Sequence, residues 1–178
     1  MIFKEAKLPG VCEIRLEHRS DERGFFARSW CEKEFAEHGL NARLVQCNIS
    51  FNTHKGTLRG MHYQATPFAE AKLVRCTKGK LYDVVIDLRP QSSAYKQWVG
   101  IILSESNRCM LYIPEGCAHG FLTLENETEI FYQMSEFYNA GSARGVRWDD
   151  PAFNVEWPEP VKIISDRDRT YPDFKSGR

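Results

Sequence analysis

The sequence predicts an all-β fold, a sandwich or barrel of short strands, on three observations. Short extended segments recur along most of the chain with turn residues between them. The one clear helical signal is brief, and a proline-rich tail closes the chain. Strands this short and numerous must cover or close their edges, which sandwiches and barrels do.

The elements follow in order. After a short extended piece, residues 11–16 and 24–30 read as strands around the turn Ser20-Asp21-Glu22-Arg23-Gly24. Residues 31–38, stopped by Gly39, read as a short helix with a glycine C-cap. Residues 44–51, 57–64 and 71–77 are extended segments separated by turn residues. Residues 81–88 alternate, with Tyr82, Val84, Ile86 and Leu88 on one face and Asp83 and Asp87 on the other, Val85 breaking the polarity. Residues 98–103, 108–113, 118–124 and 127–137 continue at similar spacing. From Asp149 the tail holds Pro151, Pro158, Pro160 and Pro172, so it is expected to wrap the surface rather than extend the sheet.

At 178 residues the chain is read as one domain over residues 1–178, able to bury roughly two-thirds of its unfolded surface. Lys plus Arg and Asp plus Glu are both 24, giving a formal net charge of zero. That argues against a nucleic-acid binder held by bulk charge while leaving room for a local basic pocket. There is no bilayer-length apolar run and no charged-then-apolar leader at the N-terminus, so a soluble, cytoplasmic protein with no membrane partner is expected. The six cysteines never form a CxxC pair, which excludes zinc ribbons and thioredoxin-type motifs, and free, mostly buried thiols are expected.

The most informative run is Gly56-Thr-Leu-Arg59-Gly60-Met-His62-Tyr-Gln64. It joins a cation whose rigid fork suits phosphate to an imidazole suited to proton transfer near neutral pH. Its two glycines allow close approach of another backbone or a ligand. Arg59 and His62 differ by three positions, so a flat strand would send them to opposite faces. If both reach one pocket, Gly60 marks a bulge or sharp twist.

A second run, Ile113-Pro114-Glu115-Gly116-Cys117-Ala118-His119-Gly120-Phe121, has the Pro-x-Gly-x-x-His spacing of the second cupin signature. The fold class expected from this likeness is a cupin-like double-stranded β-helix, a jelly-roll barrel with one or more short helices and a wrapping tail. Metal cupins carry His-x-His and a Glu in their first signature. Here the corresponding run reads His62-Tyr63-Gln64, with Glu70 further on. A metal site needs about three protein ligands, so His62, His119 and Glu70 make the alternative, a metal-dependent cupin enzyme. A metal-free use of the histidines is the leading expectation.

Taken with Asp21-Glu-Arg-Gly-Phe-Phe26, Gln46-Cys-Asn48, Lys72-Leu-Val-Arg75, residues 79–89, Trp148-Asp-Asp-Pro151 and Ser165-Asp-Arg-Asp168, the chain resembles the dTDP-4-dehydrorhamnose 3,5-epimerases. The resemblance implies an isomerase of dTDP-rhamnose and polysaccharide biosynthesis. It would invert C3, C5 or both in a nucleotide-linked 4-keto-6-deoxy sugar through an enolate. No cofactor is implied, because the substrate's own ketone stabilises the carbanion. By the same resemblance His62 is the base, Asp168 its orienting carboxylate, Tyr132 the proton donor and Lys72 the cation near the enolate oxygen. Arg23 and Arg59 grip the diphosphate, His119, Gln46 and Asn48 contact substrate, and Tyr138 stacks on the nucleotide base. Phe26, Arg28 and Arg144 are carried over as surroundings of the substrate. A homodimer is implied, with N-terminal strands exchanged and Arg23 serving the neighbouring site. Without the resemblance, Tyr132 reads as a core aromatic beside Ile130 and Met134, and Lys72 as a solvated strand lysine.

Two departures bear on specificity. Arg28 and the run Ser142-Ala143-Arg144 stand where the family usually carries glutamates around the substrate. They put recognition of thymine in question, while the proton-transfer residues match.

Overall fold

A computed structural model describes residues 1–175. In chain order the elements are β1 (Ile2–Glu5), β2 (Cys12–Arg15), β3 (Arg19–Asp21), β4 (Gly24–Phe26), α1 (Glu32–Glu37), β5 (Gln46–Asn52), β6 (Thr57–Gln64), β7 (Lys72–Lys78), β8 (Lys80–Asp87), β9 (Trp98–Ser104), β10 (Met110–Ile113), β11 (Cys117–Thr123), β12 (Thr128–Met134), β13 (Ala143–Gly145), β14 (Ile163–Ile164) and α2 (Asp166–Arg169). One sheet runs β1-β2-β10-β7-β12-β5 and the other β13-β6-β11-β8-β9. From β5 to β13 the chain switches sheet at every step except the β8–β9 hairpin. This is the winding of a cupin-like jelly roll.

The alternation of β8 explains how the layers close. Leu81 and Val85 join Val74, Cys76, Leu111 and Ile130 in the core between the sheets. Val84 and Ile86 point the other way, where Val146, Phe153, Val155 and Trp157 cover them. The tail therefore wraps the second sheet, as its prolines predict, because it must remove that outer apolar face from water. It also departs from the prediction at one point: β14 pairs in parallel with the start of β6 and so adds to the sheet.

The predicted helix is present as α1, with Gly39 just past it at φ +69°. Its single fully buried residue, Phe35, packs on Ile14, Leu73, Met110 and Tyr112 outside the first sheet. Burying such a ring is worth roughly 1.5–3 kcal/mol, more than six residues of helix propensity supply. The strand predicted over residues 24–30 stops at Phe26; β3 and β4 form a separate exposed hairpin with no third strand to extend it. All six cysteines are free, and Cys12, Cys76, Cys109 and Cys117 are buried. Among the described residues no helix is long and apolar enough to cross a membrane.

Candidate active site

β6 reaches the site through an irregularity. Arg59 pairs with Phe121 and His62 with His119, so Gly60 and Met61 together face Gly120 alone. That extra residue is a β-bulge, and it resolves the three-residue spacing: Arg59 and His62 line one cavity. Gly60 sits at φ +140°, and a Cβ there would collide with the Cα of Gly120. Only glycine fits both demands.

The His62 side chain is held from behind by the tail. Its Nε2 lies 2.7 Å from Asp168 Oδ1. The Gly60 N–H donates to Asp168 Oδ2 at 3.2 Å, and the Asp168 N–H donates to Ser165 Oγ at 3.2 Å, capping α2. Asp168 is buried, which alone would raise its pKa, but the bonds from His62, Gly60 and Ser165 hold the carboxyl below its ordinary value. A carboxylate on Nε2 assigns the proton to that nitrogen and leaves the lone pair on Nδ1.

The facing wall belongs to the first sheet. Across β5, β12 and β7 the register aligns Asn48, Tyr132 and Val74 in one row and Gln46, Met134 and Lys72 in the next. Period-two alternation turns these rows to the same side. A cavity of about 740 Å³ is lined by Arg59, His62, Lys72, His119, Tyr132 and Asp168, among others. A smaller one of about 300 Å³ includes Gln46, Asn48, Glu70 and Tyr138. His62, Lys72, Tyr132 and Arg167 line both, so the imidazole and the phenol bound a common space. Burial raises the Tyr132 pKa, Glu70 adds to the rise and Arg59 opposes it, so the phenol is protonated at neutral pH.

His119 lies 3.3 Å by Nδ1 from Asp83 Oδ1. Burial pushes its pKa down; Asp83 works against that, while Lys72 and His62 add to it, so the ring is neutral at neutral pH. Lys72 Nζ bonds Glu70 Oε1 at 2.9 Å, with both side chains nearly inaccessible. Arg59 Nε donates to Asn52 Oδ1 at 2.7 Å, which aims the guanidinium.

A base, a phenol and fixed cations around one cavity suit proton transfer at carbon next to a carbonyl. The comparisons agree. Residues 5–176 match the family model described as dTDP-4-dehydrorhamnose 3,5-epimerase. The chain belongs to the dTDP-4-dehydrorhamnose 3,5-epimerase family. A relative of that name from Shigella flexneri is 43% identical over 165 residues, 92% of this chain and 91% of the relative. The crystal structure of the Elizabethkingia anophelis enzyme superposes with a TM-score of 0.95 at 37% identity, covering 98% of this chain and 96% of that one. A Bacillus anthracis structure of the same name, with TDP and PPi bound, gives 0.93 at 38% identity over 97% and 99%.

Within this epimerase-family chain, not every predicted residue reaches the cavities. Arg23 sits at the turn of the β3–β4 hairpin, 84% exposed and bonded to Asp21 at 2.6 Å. Phe26 is exposed, and Arg28 bonds Glu34 of α1 at 2.6 Å. These three line neither cavity shared by His62 and Tyr132. Tyr138 and Arg144 stand exposed at the smaller cavity's rim, the Tyr138 N–H donating to Gln46 Oε1 at 3.0 Å and Arg144 Nη1 to the carbonyls of Gly141 and Ala143. The metal alternative fails on geometry: Glu70 turns to Lys72, and among the described residues no three His, Cys, Asp or Glu side chains converge as ligands.

Three contributors escaped the sequence reading. Arg167 lines both cavities, next to the expected Asp168. Ser165 caps the helix that presents that carboxylate. Asp83 was visible only as a polar residue on an otherwise apolar strand; its fully buried carboxylate partners His119.

Proposed function

We propose that this protein is a cofactor-independent sugar-nucleotide epimerase, inverting C3, C5 or both in a nucleotide-linked 4-keto-6-deoxy sugar, in the manner of dTDP-4-dehydro-6-deoxyglucose conversion to dTDP-4-dehydrorhamnose. One observation carries the reading: the Asp168-bound imidazole of His62 and the protonated phenol of Tyr132 bound one cavity. His62 Nδ1 takes the proton from the carbon beside the ketone, and the C–H electron pair moves into the carbonyl to give an enolate. The Lys72 ammonium stabilises the oxygen, while the neutral His119, its Nδ1–H turned to Asp83, offers Nε2 as an acceptor to a substrate hydroxyl. The Tyr132 O–H then delivers its proton to the other face of that carbon. Exchange with solvent returns the imidazolium and phenolate to their starting states.

Arg59 and Arg167 hold the diphosphate, for which the TDP and PPi bound to the Bacillus anthracis relative are a precedent. Gln46 and Asn48 contact the sugar side, and Tyr138 with Arg144 receives the base at the rim. Arg23, Phe26 and Arg28 act from a second copy of the chain: they line neither cavity that His62 and Tyr132 share, and Phe25, Phe26, Ile49 and Phe51 expose apolar area that a homodimer would cover. Arg28 and Ala143 replace acidic positions, so the preferred base is open to dTDP, CDP, GDP or UDP. The reading places the protein in the cytoplasm, in polysaccharide precursor synthesis.

The test is incubation with each 4-keto-6-deoxy nucleotide sugar in deuterium oxide, reading deuterium at carbons 3 and 5 by NMR. Incorporation with at least one of them is expected; none with any candidate refutes the assignment.

A further inference from the structure

Glu70 is the one acidic residue in the wall of the smaller cavity. It is 7% exposed, its Oε1 bonds Lys72 Nζ at 2.9 Å, and its Oε2 has no hydrogen-bond partner among the described residues. A buried ion pair whose lone pairs are not all satisfied is a poor source of stability, since desolvation offsets most of the attraction. A role in the field around the site accounts better for it.

Neighbouring charges explain what that role is. The Tyr132 phenol shares its cavities with Lys72 on β7, with Arg59 and His62 on β6, with His119 on β11, with Arg144 on β13 and with Arg167 and Asp168 on α2. Asp168 is occupied by His62, and Asp83 of β8 by His119. Four cations, Arg59, Lys72, Arg144 and Arg167, therefore line the phenol's cavities, and a nearby cation favours the ionised form, as Arg59 does here. Glu70 supplies the opposing negative charge.

We propose that Glu70 is a positioning residue for the proton-returning step: its carboxylate fixes the Lys72 ammonium in the cavity wall and keeps the Tyr132 phenol a proton donor against the cations around it. The inference rests on the epimerase reading for its catalytic meaning. The charge effect itself needs no substrate. Burial and Glu70 together raise the phenol's pKa, with Arg59 opposing.

The experiment is a titration of the full-length protein labelled with ¹³C at tyrosine Cζ, the Tyr132 signal being assigned from its loss in Tyr132→Phe. Glu70→Gln preserves shape and removes the charge, so the signal is expected to titrate at lower pH than in wild type. Glu70→Asp retains the charge and is expected to restore the wild-type position, which also covers any loss of folding in the Gln variant. In parallel, the alkaline limb of kcat/KM should move to lower pH in Glu70→Gln and return with Asp. An unchanged Tyr132 titration in folded Glu70→Gln overturns the proposal, even if turnover falls, because a purely structural contact would give that result. A shifted phenol with no epimerisation of any substrate by wild type would instead sink the functional reading alone.

Discussion

His62 and His119 are cross-strand partners on β6 and β11, and each ring has a carboxylate behind it. The two pairs differ in setting. His62 is 37% exposed with Nε2 bound to Asp168 at 2.7 Å, whereas His119 is 11% exposed with the longer 3.3 Å contact to Asp83. The first leaves its Nδ1 lone pair open to the cavity, and the second stays neutral with its proton turned to Asp83.

Substituting His62 by Ala should reduce deuterium incorporation to background at both carbons. Asp168→Asn should retain the fold but disturb the tautomer and aim of the ring, lowering exchange by about 10²–10⁴-fold. Steady-state exchange rates check both; near-native turnover in His62→Ala would remove it as the base.

Tyr132→Phe should separate the two proton transfers. Loss of the donor leaves His62 able to abstract and return a proton on one face. Deuterium should then enter the substrate with inversion suppressed by about 10²–10⁴-fold. NMR of recovered substrate and product distinguishes retention from inversion.

Gly60→Ala should destabilise the protein by about 1–3 kcal/mol, because φ +140° is strained for a side chain and the new methyl meets Gly120. Urea unfolding measures this. The same variant should weaken exchange, since the Gly60 N–H holds Asp168.

The depressed Asp168 carboxyl has a signed consequence. A folded-state pKa below the ordinary 3.8 contributes stability that is present above that value and is lost as pH falls through and below it. Asp87, lowered by Arg89 and Ser92 against the burial that would raise it, adds in the same direction. Asp168→Asn should therefore flatten the acid side of the stability–pH curve measured by urea unfolding.

If Arg23 serves a neighbouring site, chains carrying Arg23→Ala and chains carrying His62→Ala should complement when mixed and allowed to exchange subunits. Hybrids would contain one site with both residues intact. Activity no higher than that of the separate variants would place Arg23 outside the site.

Much of the barrel was legible in the chain. Turn residues and period-two patterning located most strands within a residue or two, since local sterics and burial of one face act over a few positions. The end of β4 was not, because the apparent strand over residues 24–30 had no third partner to pair with.

Residue types and their spacing determined by themselves the antiparallel β texture, the short helix ended by Gly39, and the pairing of cation and imidazole around Gly60. Only the tertiary structure decided that Asp168 stands 2.7 Å from His62, more than a hundred positions away, that Glu70 faces Lys72 instead of two histidines, and that Arg23 leaves its own cavity. Those outcomes depend on long-range register, on a bulge opposite one glycine and on how the tail covers a sheet. No local preference along a strand encodes them.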